Sequence, residues 1–219
     1  MSLTVLLVAT LPLSQSAIAL NARDEQARLN TCIEKVETVP EEAYEDSLAW
    51  LSNGNRPKAR YCNAISLIAL ERTEEGAARL EALANAPDPI SLENRALYMT
   101  QAGNAWLSSN YPEAAVTAFS AALNIQPNNA DIYIDRGAAR LALEDWMLGI
   151  DDLSQAISLA PTKTEAFYLR SSAFLETEDY AAAQADLDVL LAREPENLDY
   201  LVLRGDIREA IRLRENGVD

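Results

Sequence analysis

Three prolines, Pro127, Pro161 and Pro195, stand 34 residues apart, and a column of small residues keeps the same step at Gly103, Gly137, Ser171 and Gly205. A fixed period of this length marks a chain that stacks one supersecondary unit. Each unit is too small to bury its own apolar face. Neighbouring units therefore complete one another's core and leave an extended surface for partners.

Counted from Ala96, three gapless units cover 96–129, 130–163 and 164–197. The fourth position is bulky, with Met99, Tyr133 and Phe167, and Leu201 in a trailing half-unit. Position twenty is small throughout (Ala115, Gly149, Ala183), position twenty-four is large and apolar (Phe119, Leu153, Leu187), and position twenty-seven is Ala122, Ala156, Leu190. Small residues let two antiparallel helices approach, and the bulky ones fill the space beside them. Proline at position thirty-two stops the second helix, since a helix interior cannot hold it. Turn signals divide each unit at Asn110-Tyr111-Pro112, Glu144-Asp145-Trp146 and Glu178-Asp179-Tyr180.

This pattern resembles the tetratricopeptide repeat. The resemblance implies an all-α, right-handed superhelical solenoid of antiparallel helix pairs, about 11 helices in the mature chain. A weaker unit within 57–95 keeps Ala64, Gly76, Leu80 and Leu83 in phase over 57–90 but has Asp88 where proline is expected, and a five-residue insertion separates it from Ala96. Before it, 20–56 reads as a helical cap with helices near 22–36 and 41–53. After the last unit, 198–215 reads as one capping helix with a polar outer face.

Residues 1–19 differ from the rest. An apolar run from Leu3 to Leu13 leads to Ala17-Ile18-Ala19, a small-x-small cleavage pattern, although no Lys or Arg precedes the run. The reading is a signal peptide cleaved near Ala19, hence a periplasmic or secreted protein; the alternative is a cytoplasmic chain with an ordinary first helix. The only two cysteines, Cys32 and Cys62, fit that reading as a disulfide, with two buried free thiols as the alternative.

Formal net charge is −16 with a pI near 4.4. Such a surface repels phosphate backbones, so nucleic acid is not an expected partner. No run is long enough for an integral membrane span. There is no His, no phosphate loop and no metal-ligand spacing, so no enzyme activity, metal or cofactor is expected.

Arg136 and Arg170 recur at position seven, with Asp152 and Asp186 at position twenty-three of the same units. Where position seven is Ala102, position twenty-three is Ala118. Arg and Asp come and go together, as structural ion pairs between the two helices of a unit would. Arg204 repeats the column without a following helix.

The resemblance places the first helix of each unit on the concave face. That nominates Gln101, Asn104 and Leu107, then Asp131, Ile134 and Asp135, then Tyr168 and Ser172, as the partner-binding groove. Family members that clamp a terminal carboxylate use Lys, Arg and Asn there, and only Asn104 is present. The expected partner is another protein, offering an apolar segment that carries basic residues. The expected role is a protein–protein interaction scaffold, with a self-associating subunit of an envelope assembly as the alternative.

Overall fold

The computed structural model describes residues 13–217, with side chains described from Ala22. The leader expected over residues 1–19 lies outside the described residues through Pro12. Among the described residues there are eleven helices and no strand. They are α1 (Leu13–Thr38), α2 (Pro40–Ser52), α3 (Pro57–Ala69), α4 (Thr73–Ala84), α5 (Leu92–Ser108) and α6 (Pro112–Ile125). The series continues with α7 (Ala130–Ala142), α8 (Trp146–Leu159), α9 (Thr164–Glu176), α10 (Tyr180–Arg193) and α11 (Leu198–Glu215).

Each helix packs on the next in sequence, and the odd-numbered ones also meet: α1 on α3, α5 on α7, α7 on α9 and α9 on α11. That contact pattern is a solenoid whose inner face is lined by odd-numbered helices. None of the described helices is long and apolar enough to cross a membrane.

Proline marks the start of α6 and the ends of α6, α8 and α10. Pro112 occupies the first turn of α6, where a missing N–H costs nothing. Pro127, Pro161 and Pro195 follow α6, α8 and α10 by two residues. Asn129 and Asn197 cap α7 and α11, their side-chain oxygens accepting the Asp131 and Asp199 N–H groups at 3.0 Å.

The turn inside each unit has a conformation that the letters conceal. Glu71, Asn110, Glu144 and Glu178 all have φ near +60°, and each is the fifteenth residue of its unit. At each site the next residue's N–H reaches back five positions, for example Asp145 to the Arg140 carbonyl at 2.9 Å and Asp179 to the Phe174 carbonyl at 2.8 Å. This is the Schellman termination, normally served by glycine. A left-handed residue with a Cβ costs about 1–2 kcal/mol, partly offset by glycine's larger unfolded-state entropy. Glu144→Gly and Glu178→Gly are each expected to stabilise the protein by about 0.5–1 kcal/mol, read as a rise in thermal midpoint.

Close helix approach explains the small-residue column. A Cβ on Gly103 would meet the Phe119 ring at 2.6 Å, and one on Gly137 would meet Leu153 Cγ at 2.9 Å. Ser171 fills the same place in the third unit, and its hydroxyl donates to the Ala183 carbonyl at 2.8 Å. Alanine favours a helix by about 1 kcal/mol over glycine. Phe119 is fully buried, however, and cannot yield. Gly103→Ala is therefore expected to destabilise by about 1–3 kcal/mol in denaturant melts, against its helix propensity.

The insertion after α4 is anchored by two arginines. Arg95 donates to the carbonyls of Ala86 and Asp88, both at 2.8 Å, and Arg60 pairs with the Asp88 side chain. At the amino-terminal end, Cys32 of α1 and Cys62 of α3 form a disulfide across Cα atoms 6.0 Å apart. Trp50 is buried beneath α1, with the Arg28 guanidinium 4.7 Å above its ring.

Two arginines of the column, Arg136 and Arg170, are internal to the solenoid. Arg136 donates from Nε and Nη2 to the two Asp152 oxygens at 2.8 and 2.7 Å, and from Nη1 to Ser120 at 3.0 Å. Arg170 repeats this with Asp186 and Ser154 at 2.8, 2.7 and 2.9 Å. Both carboxylates are buried. Each arginine thus joins the two helices of its own unit to the preceding unit.

Helix α11 exposes the charged residues expected of a cap, among them Arg208, Glu209 and Arg212, and two apolar ones as well. Its Leu198 and Val202 are 76% and 62% exposed.

Candidate functional site

The inner face changes character along its length. Its amino-terminal part is apolar. One cleft of about 420 Å³ lies between α1, α3 and α5, lined by Val36, Ile65, Ile68, Gln101, Asn104 and Ala105. A second, of about 680 Å³, is bordered by Leu29, Ile33, Tyr61, Leu97 and Tyr98, with the charged Glu25, Arg56 and Lys58 at its edge. Gln101, which borders the first cleft, donates its amide to the hydroxyl of Tyr61, which borders the second, at 3.0 Å. Tyr61 stacks on Tyr98 with ring centroids 4.7 Å apart, and burial pushes both phenols above their ordinary pKa. The Gln101 carbonyl oxygen is buried with no hydrogen-bond partner.

Beyond α5 the face becomes acidic. Asp135 lies among Asn104, Asp131, Glu165 and Lys163, and its pKa is raised to about 6. Burial is the main cause, followed by the Glu165 charge. The neighbouring Asn104 amide opposes the shift, Asp131 adds to it, and Lys163 opposes it. Lys163 is occupied with Asp131 at 2.5 Å. The next turn of the solenoid presents Tyr168, half-buried, with its ring 6.0 Å from that of Tyr200. Ser172 donates to the Tyr168 carbonyl within its own helix at 3.0 Å.

Of the nominated groove residues, Gln101 and Asn104 border the apolar cleft, while Asn104, Asp131 and Asp135 meet in the acidic section. Leu107 is half-buried against the core of the first units. Ile134 needs correction. It is 3% exposed and packs with Leu153, Ala156 and Ala166, so it belongs to the core between units and is out of a partner's reach. The α1 side chains Ile33 and Val36 escape a reading of the sequence, because 20–56 has the pattern of a cap. Only the position of α1 beside α3 makes them a groove wall.

Asp135 gives a test with a defined sign. Its folded pKa, about 6, lies above the unfolded value near 3.8, so the folded state holds the proton more tightly. Its contribution to stability is full below pH 4 and is lost as pH rises through 6. Asp135→Asn is expected to match wild type near pH 4 and to exceed it by about 1–3 kcal/mol at pH 7, measured by denaturant melts at both pH values.

No protein-family model and no curated protein matches the chain in sequence. Solved structures do match in shape. MamA 41-end from Desulfovibrio magneticus RS-1 superposes with a TM-score of 0.67 at 18% identity, over 79% of this chain and 97% of that one. TTC0263, a thermophilic TPR protein in Thermus thermophilus, covers 86% of this chain and 100% of its own, with a TM-score of 0.53 at 21% identity. The chain is a tetratricopeptide-repeat solenoid. A further similar structure is the first TPR of Spaghetti (RPAP3) bound to the HSP90 peptide SRMEEVD, with a TM-score of 0.52 at 21% identity, over 53% of this chain and 93% of that one. Of the basic side chains along the inner face of this tetratricopeptide-repeat chain, Lys163 is paired with Asp131, while Arg56 and Lys58 beside the larger cleft are engaged by Glu25 and Gln26.

Proposed function

We propose that the protein is an interaction scaffold whose inner face holds an extended or helical segment of another protein, apolar residues in the α1–α3–α5 clefts and Lys or Arg against Asp135 and Glu165. The observation that carries this reading is the ordered change along one surface from apolar clefts to a partly buried acidic cluster. An uncompensated carboxylate that is costly to ionise gains most from an incoming cation. The peptide-bound RPAP3 repeat supports peptide capture as a use of this fold. The charge here favours the opposite kind of ligand.

The same proposal puts the mature protein outside the cytoplasm, in a bacterial periplasm or beyond it. The apolar start ending in Ala17-Ile18-Ala19 and the Cys32–Cys62 disulfide both support that placement. As bait in an envelope extract, wild-type protein is expected to retain a partner that Asp135→Lys/Tyr168→Ala releases. An identical set of bound proteins for both baits would remove the inner face from the proposal.

A further inference from the structure

Helix α11 carries the surface with which α7 binds α8. In register, Arg204, Gly205 and Arg208 stand where α7 has Arg136, Gly137 and Arg140, and Val202 stands at the place of Ile134. On α7 every one of these is covered by α8. Arg136 and Arg140 both pair with Asp152, at 2.7 and 2.8 Å. Leu153 fills the space over Gly137, and Ile134 packs on Leu153 and Ala156. Among the described residues nothing covers the same surface on α11. No atom lies within 4 Å of a Cβ built on Gly205, and Val202 is 62% exposed. Among the described residues neither Arg204 nor Arg208 makes an ion pair. Asp188, which replaces Ser120 and Ser154 in register, leaves Arg204 unpaired and accepts instead from Gln184 at 2.7 Å.

We propose that α11 is a second docking surface, separate from the inner face, for an amphipathic helix of a partner protein. That helix carries a small residue, two of any kind, a carboxylate and then a large apolar residue. The two bound examples in this chain define the ligand: Gly149-Ile150-Asp151-Asp152-Leu153 on α7, and Ala183-Gln184-Ala185-Asp186-Leu187 on α9. The carboxylate bridges Arg204 and Arg208, the apolar side chain lies over Gly205, and the small residue lets the helices close. A second copy of this chain is a poor source of the helix. Its α8 and α10 carry the pattern, and both are already buried on their own partners.

The probe is a fluorescent peptide of residues 145–160, titrated with the intact chain and followed by polarisation. Saturable binding is expected. It should weaken at least about tenfold when the peptide carries Asp152→Asn, and by a similar factor when the chain carries Arg204→Ala/Arg208→Ala. Gly205→Leu, which fills the open space, should abolish it. Thermal melts show whether these variants stay folded, and Gly205→Ala should itself be more stable than wild type, since nothing opposes its helix propensity. Three results would overturn the proposal. One is no binding at millimolar protein. Another is binding indifferent to the α11 substitutions, which would mean that the peptide displaces α8 from α7. The third is a concentration-dependent dimer that Gly205→Leu dissociates, which would give this surface to a second copy.

Discussion

Asp152→Ala is expected to destabilise the protein by about 3–5 kcal/mol, because it leaves two guanidinium groups facing a buried site without a counter-charge. Asp152 is 4% exposed and takes Arg136 and Arg140 together. Its loss also frees the link from Arg136 to Ser120 in the preceding unit. The damage should therefore spread across the unit boundary, and amide exchange is expected to accelerate in α6, α7 and α8. Removing both members of a pair is a different experiment. The first unit has Ala102 and Ala118 at these two positions, 0% and 1% exposed, and closes without any ion pair. Arg170→Ala/Asp186→Ala should consequently cost clearly less than Asp186→Ala alone. A double variant as damaged as the single would show that the arginine stems, rather than the charges, hold the units together.

Reduction of Cys32–Cys62 is the second large effect. The bond closes a loop with a sequence separation of 30, worth about 3–4 kcal/mol through restriction of the unfolded chain. Among the described residues helix α1 packs chiefly on α2 and α3, so the loss should concentrate there. Chemical reduction, or Cys32→Ala/Cys62→Ala, is expected to lower the first melting transition and to expose α1 to limited proteolysis. The last units should be unaffected, since a solenoid transmits stability mainly between neighbours. Because Ile33 and Val36 form one wall of the apolar clefts, reduction should also weaken any ligand held there. Loss of stability without loss of that binding would place the ligand elsewhere.

What the sequence discloses follows from which residues repeat. Helix pairs, their proline stops and the close approach at Gly103 and Gly137 are readable because backbone geometry admits few residue types there. The co-occurrence of Arg with Asp at two fixed positions is equally visible in the letters, and the structure has both pairs in contact. The left-handed turn residues are hidden, because Glu71, Glu144 and Glu178 occupy a conformation that glycine usually marks. The groove is only half legible. Asn104, Asp131 and Asp135 can be nominated by position within the unit. The burial of Ile134 depends on how far α7 leans on α8 and α9, which no single unit encodes. The open face of α11 is obscured by its charge, since Arg204 and Arg208 read as solvent-facing until Arg136 and Arg140 show what such residues hold.

Selection of apolar segments bearing cations is what distinguishes this inner face. A matched peptide set tests it most directly, with one apolar scaffold carrying Lys, Gln or Glu at a single position and titrated against wild type and Asp135→Lys by polarisation. Cation selection requires Lys to bind more tightly than Gln, and Gln more tightly than Glu. It also requires the Lys peptide to lose at least about tenfold on the Asp135→Lys protein. A preference for the Glu peptide, or an order unchanged by Asp135→Lys, would contradict it.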